Sequence, residues 1–126
     1  MNALRPALFL ALASIALPGC MLVVAGAAGA AGAIYIDGEF SGRLEASPKQ
    51  VADASKRVLE DLDIKVQRCE ASSIDGSVEG TSALEREIKI KIEREDETTS
   101  KIGIRVGTWG DEALSRQIYD KIKARL

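Results

Sequence analysis

Histidine is absent from this chain of 126 residues. That removes the commonest general base, the commonest imidazole metal ligand and the one side chain that ordinarily titrates near neutral pH. Aromatic residues are scarce, with one Trp, two Tyr and two Phe, too few for a base-stacking surface. The 17 Lys and Arg do not outnumber the 19 Asp and Glu, and they form no basic block. The electrostatic footprint of nucleic-acid binding is therefore missing. Two cysteines, Cys20 and Cys69, do not make a disulfide framework. From these absences we expect no catalytic residue, no cofactor, no metal site and no nucleic-acid partner. A carboxylate or Lys/Ser site assembled across the fold is the one enzymatic arrangement that a linear reading does not register.

Charge is distributed unevenly. Ala7 to Ile36 contains no charged side chain, whereas from Asp37 onward nearly every second or third residue is charged. The shift separates a membrane-directed segment from a water-soluble domain. Residues 1–19 have the layout of a secretory leader, with Arg5 as a short positive region and Ala7 to Ala16 as the apolar region. Leu17-Pro18-Gly19-Cys20 then resembles the lipobox cut by lipoprotein signal peptidase, after which the cysteine carries acyl chains. Pro18 stands where a small residue is more usual. Each buried methylene contributes about 0.8 kcal/mol, so a multiply acylated Cys20 anchors stably where a single chain would not. The competing interpretation is an uncleaved transmembrane helix, since the apolar run to Ile36 is long enough to span a bilayer. The signal-peptide layout with Gly-Cys at the right distance favours the lipoprotein. Residues 20–33 follow as a lipidated cysteine and an Ala/Gly-rich tether. Gly26, Gly29 and Gly32 recur every third residue, which leaves open a small-residue face for helix pairing in a membrane.

Residues 34–126 form the soluble domain. Removing Arg5 with the leader takes the net charge from −2 to −3. Period-two alternation predicts a first strand from Ile34 to Leu44, with Ile34, Ile36, Phe40 and Leu44 inward and Gly38 and Gly42 among them. Ser47-Pro48-Lys49-Gln50 carries a capping box with Pro at the first helical position. Val51, Ala54, Val58, Leu59 and Leu62 continue a helical stripe to a stop near Asp63. A second strand is expected over Ile64 to Cys69 and a third within Ile74 to Ala83, unless Asp75-Gly76 is a turn. Ile88, Ile90 and Ile92 mark the fourth strand, and Ile102, Ile104 and Val106 the fifth. A closing helix starts at the N-cap Asp111, with Leu114, Ile118, Ile122 and Leu126 as its stripe and Tyr119 beside it. The expected order is β-α-β-β-β-β-α. It gives an α+β two-layer sandwich, a mostly antiparallel sheet with two helices on one face.

The Gly-Cys motif, the Ala/Gly tether, Tyr35-Ile36-Asp37-Gly38-Glu39, the helix end Leu59-Glu60-Asp61-Leu62-Asp63-Ile64-Lys65-Val66 and Arg105-Val106-Gly107-Thr108-Trp109-Gly110-Asp111 resemble a domain-of-unknown-function family of short Gram-negative lipoproteins. The similarity runs from Cys20 to the C-terminus. Asp63 departs from the pattern, standing where a glycine is more usual. The resemblance implies an envelope lipoprotein and no activity. Met21 is not the aspartate that commonly retains a lipoprotein at the inner membrane. By similarity to that sorting rule, the outer membrane is the expected address, with the domain in the periplasm.

Four features invite a functional reading. Thr108 and Trp109 lie between the fifth strand and the closing helix. Trp109 either caps one end of the core, which is the plainer reading, or presents an aromatic anchor to a partner. Cys69 lacks an obvious activating base and is expected to be an unpaired structural thiol. Glu93-Arg94-Glu95-Asp96-Glu97 lacks the ligand alternation and central glycine of a calcium loop and is expected to be a solvated turn. The outward stripe Asp37, Glu39, Arg43, Lys89, Lys91, Lys101 and Arg105 suggests cross-strand charge pairing, or a polar docking face for another envelope component. The expected function is a noncatalytic interaction or structural module, anchored by lipid and with a possible envelope protein partner. The alternative is a small-molecule or lipid binder, with a pocket where Gly38 and Gly42 leave room.

Overall fold

A computed structural model of the protein describes residues 33–126. The leader, Cys20 and the Ala/Gly tether lie outside the described residues. Among the described residues, no helix is long and apolar enough to cross a membrane.

The chain forms β1 (Ile34–Ile36), β2 (Glu39–Leu44), α1 (Pro48–Asp61), β3 (Lys65–Ala71), β4 (Asp75–Thr81), β5 (Glu87–Arg94), β6 (Ser100–Val106) and α2 (Glu112–Arg125). The six strands make one sheet in the order β1-β2-β6-β5-β4-β3, and every neighbouring pair is antiparallel. Helix α1 packs over β3, β4 and β5, and α2 over β2 and β6. The architecture is therefore the expected α+β sandwich with helices on one face.

The core is the inward side of that sheet. Phe40, Leu44, Val78, Ile88, Ile90, Ile92, Ile102, Ile104 and Val106 are buried against Val51, Val58 and Leu59 of α1 and Ile118 and Ile122 of α2. On β5 the isoleucines alternate with exposed Lys89, Lys91 and Glu93, so a single period-two run defines both faces. Burying each such aliphatic side chain contributes about 1.5–3 kcal/mol. Helix α1 begins as its sequence dictates. Ser47 Oγ accepts from Gln50 N at 3.3 Å, and Gln50 Oε1 accepts from Ser47 N at 3.0 Å. Beyond its end, Asp63 adopts φ 57°, the left-handed conformation that glycine enters most readily.

Three expectations need correction, and one open alternative closes. The stretch from Ile34 to Leu44 is two strands, because Asp37 (φ 53°) and Gly38 (φ 82°) form a two-residue hairpin turn. The turn pairs Tyr35 with Phe40 and Ile36 with Glu39, and cross-strand partners share a face. Tyr35 therefore sits on the core side, while Ile34 and Ile36 are exposed on the other. Asp75-Gly76 is not a turn but the start of β4, within the span expected for the third strand. Leu126 is 48% exposed and does not complete the α2 stripe. The room expected above Gly42 is filled: a Cβ there would lie 2.6 Å from Tyr119 Cε2.

Candidate functional site

The antiparallel register brings three connections to one end of the sheet: the β1–β2 turn, the β4–β5 loop and the β6–α2 loop. The backbones of the β1–β2 turn and the β6–α2 loop touch. A Cβ on buried Gly38 would lie 2.8 Å from Arg105 Nη1 and 3.0 Å from Trp109 O. A Cβ on Gly110 (φ 82°) would lie 2.5 Å from both Gly38 Cα and Gly38 O, and would also meet the Tyr35 hydroxyl. Only glycine fits at either position, since both need positive φ and a side chain at either would enter the other loop.

Two arginines brace this contact. Arg105 Nη2 donates to Asp37 O at 2.8 Å, tying β6 to the hairpin turn. Arg86 Nη2 donates to Asp111 Oδ2 at 2.7 Å, tying the β4–β5 loop to the start of α2. Asp111 also accepts from Leu114 N at 3.0 Å as the helix N-cap. The Leu114 N–H, followed by the Arg86 guanidinium, holds the Asp111 carboxyl below the usual carboxylate range. Gly107 N donates to Glu87 O at 2.7 Å, closing the loop against β5.

On this braced end stands Trp109, 90% exposed, beside exposed Thr108. The tryptophan does not cap the core. Tyr35, from the neighbouring strand β1, packs against the buried cluster, and Trp109 stands in solvent. Ile36 adjoins the same turn at 59% exposure, Ile34 follows on the same face at 54%, and Leu84 of the β4–β5 loop is 79% exposed. Beside them lies an open depression of about 420 Å³, lined by Glu85, Arg86, Glu87, Lys89, Arg105, Gly107 and Thr108.

A family described as a protein of unknown function, DUF3568, matches residues 3–125. The chain belongs to the DUF3568 family. Membership brings no activity with it, and no curated protein matches the sequence. The DUF3568 match takes in the uncharged N-terminal segment as well as the folded domain.

The other candidate positions are dispersed. Cys69 lies on the edge strand β3, exposed, with its Sγ 3.9 Å from Ala52 O. Partial burial raises its thiol pKa, against an opposing effect of Lys56, so the thiol is not activated. Among the described residues, no cluster of three or more Cys, Asp or Glu is placed to hold a metal ion. The acidic run closes β5 with Glu93 and Arg94 and then turns, with Asp96 Oδ1 accepting from Thr98 N at 2.9 Å. On the open face, the register sets Glu39 opposite Arg105, Glu79 opposite Lys89 and Glu93 opposite Lys101, the expected cross-strand charge pairing. Like charges also neighbour each other there, Lys89 beside Arg105 and Arg43 beside Lys101. The shortest ion pairs run along strands, as in Lys89–Glu87 at 3.6 Å, or to loops, as in Arg43–Glu95 at 2.7 Å.

Proposed function

We propose that this DUF3568 protein is a noncatalytic docking module of the cell envelope, held at a membrane through lipidated Cys20 and presenting its Trp109 corner to a partner. The observation that carries the docking role is the exposure of the sole tryptophan on a loop whose backbone is fixed by two glycines and two arginines. A rigid aromatic loses little conformational freedom on binding and supplies a large contact area, which is why tryptophan is enriched among the residues that dominate interfaces. Support for the anchor comes from the uncharged run of Ala7 to Ile36 and the Leu17-Pro18-Gly19-Cys20 motif. Met21 after the cysteine supports the outer membrane as the address, with the domain in the periplasm.

Two experiments test the two halves separately. Cys20→Ala should abolish metabolic palmitate labelling, and labelling that persists would overturn the anchor. A photo-crosslinking residue at position 109 should give either a discrete protein adduct or a lipid adduct in intact cells. If membrane-retained protein gives no adduct from that position, the docking role fails.

A further inference from the structure

We infer that the partner of the Trp109 corner is the phospholipid bilayer itself, so that the domain lies on the membrane that anchors it. The inference rests on the proposed anchor and assigns the occupant of the docking corner.

Four large apolar side chains are exposed at or beside this end of the domain: Trp109 at 90%, Leu84 at 79%, Ile36 at 59% and Ile34 at 54%. Two loops and one edge strand supply them, and the Gly38–Gly110 backbone contact and the two arginine bonds join those elements. Ile34 and Ile36 point to one side of β1, about 7 Å apart along the strand. The hairpin turn puts them there. Without it they would be core residues, and β1 would not carry an exposed apolar row.

The place where the chain joins the domain selects the occupant. The uncharged segment that begins at Ala7 ends at Ile36, so the last two exposed side chains of the patch are the last apolar residues of that segment. Whatever binds this corner must fit beside the point at which the chain arrives from the membrane. A bilayer surface does so within the reach of the tether of residues 20–33. Tryptophan suits that surface because its indole is apolar over most of its area and polar at its N–H, the combination that concentrates it at headgroup level.

Charge on this side is mixed. Arg86, Lys89 and Arg105 line the depression beside Thr108 together with Glu85 and Glu87, and Glu79 and Glu39 flank Lys89 and Arg105 on the neighbouring strands. The cations can meet lipid phosphate at the rim, while the exposed apolar side chains carry the binding. Apolar residues to insert and cations beside them to meet phosphate are the two components of peripheral membrane binding.

Trp109 is the only tryptophan of the chain, so its fluorescence reports this corner alone. The acylated full-length protein is reconstituted on vesicles of phosphatidylethanolamine and phosphatidylglycerol. Its emission should shift to shorter wavelength than free N-acetyltryptophanamide in buffer. Brominated acyl chains should quench it, and acrylamide quenching should fall several-fold. Ile34→Asp with Ile36→Asp, on the exposed face, should return Trp109 to an aqueous signal while the protein still floats with the vesicles. The proposal is overturned if the wild-type protein floats with vesicles yet Trp109 stays open to acrylamide and indifferent to brominated lipid. It is equally overturned if Trp109 is shielded without bromine quenching and the protein crosslinks as a dimer, since a second copy then holds the corner. Failure to float at all would remove the anchor and the docking together, an outcome distinct from both.

Discussion

Gly42 is a sharp test of the packing between sheet and helices. Its Cα faces α2, and the Tyr119 ring occupies the space a side chain would need. An added Cβ would lie 2.6 Å from Cε2, 2.9 Å from Cζ and 3.2 Å from the hydroxyl. Comfortable contact begins near 3.5 Å, so Gly42→Ala demands a retreat of about 1 Å. The ring is held from two sides. Its hydroxyl donates to Arg43 O at 2.7 Å, and its centroid stands 5.1 Å from that of Phe40. A retreat of that size breaks the hydrogen bond, at about 1 kcal/mol. Forcing a methyl into a filled core costs a further 1–3 kcal/mol or so. The lower entropy of alanine in the unfolded chain returns about 0.4–1 kcal/mol. The net loss should be about 2 kcal/mol, seen as a lower urea midpoint and a Tm drop of roughly 10 °C. Far-UV circular dichroism is the suitable probe, because Trp109 is already in solvent and its emission changes little on unfolding. In a Tyr119→Leu background the methyl finds space, and Gly42→Ala should be neutral or stabilising by about 0.5 kcal/mol. An equal cost in both backgrounds would refute the close approach of ring and strand.

Other consequences can be checked on the same domain. Ser115 Oγ is buried with no hydrogen-bond partner among the described residues, so Ser115→Ala should stabilise by about 1 kcal/mol, and a lower urea midpoint would contradict it. The Asp111 carboxyl is depressed in the fold, so its stabilisation is fully present above the ordinary carboxylate pKa of about 4 and fades as pH falls through the lower folded value. Asp111→Asn keeps a capping side chain but loses the charge on Arg86. Its stability should therefore fall less steeply than the wild type's below about pH 4, and parallel acid limbs would exclude that role. Burial raises the Cys69 thiol pKa, so iodoacetamide should modify it more slowly than it modifies glutathione at mildly alkaline pH.

Most of the layered architecture is legible in the sequence, because burial writes itself as periodicity. The isoleucines of β5 and β6 alternate without a break, and both helix starts carry their caps, Ser47 with Gln50 and Asp111 with Leu114 N. The hairpin at Asp37-Gly38 was hidden by coincidence. Ile34, Ile36, Phe40 and Leu44 share one parity, so a straight strand and a folded hairpin read alike until the Asp-Gly pair is given its weight as a turn. The same dipeptide at Asp75-Gly76 makes no turn, because Gly76 pairs with Ile92 in mid-ladder. Asp63 is the converse case. The position holds its left-handed φ of 57° without a glycine. The exposure of Trp109 is not readable, because a residue in a loop between a strand and a helix has no periodicity that assigns it a face. The anchor motif is legible only as sequence and lies outside the described residues.

The position of β6 has a kinetic consequence. Strands β3 to β6 follow one another along the chain and lie side by side as a meander, a set of local pairings that closes early. Strand β2 has its partner elsewhere: Glu39 meets Arg105 and Leu44 meets Ser100, so the first hairpin waits for the last strand. Until Ser100–Val106 has been made, Phe40 and Leu44 have no sheet to join, and the apolar side of β2 stays open. A chain truncated before Ser100 should therefore lose its first two strands as well as its last. The nascent protein cannot close its fold from the N-terminus forward.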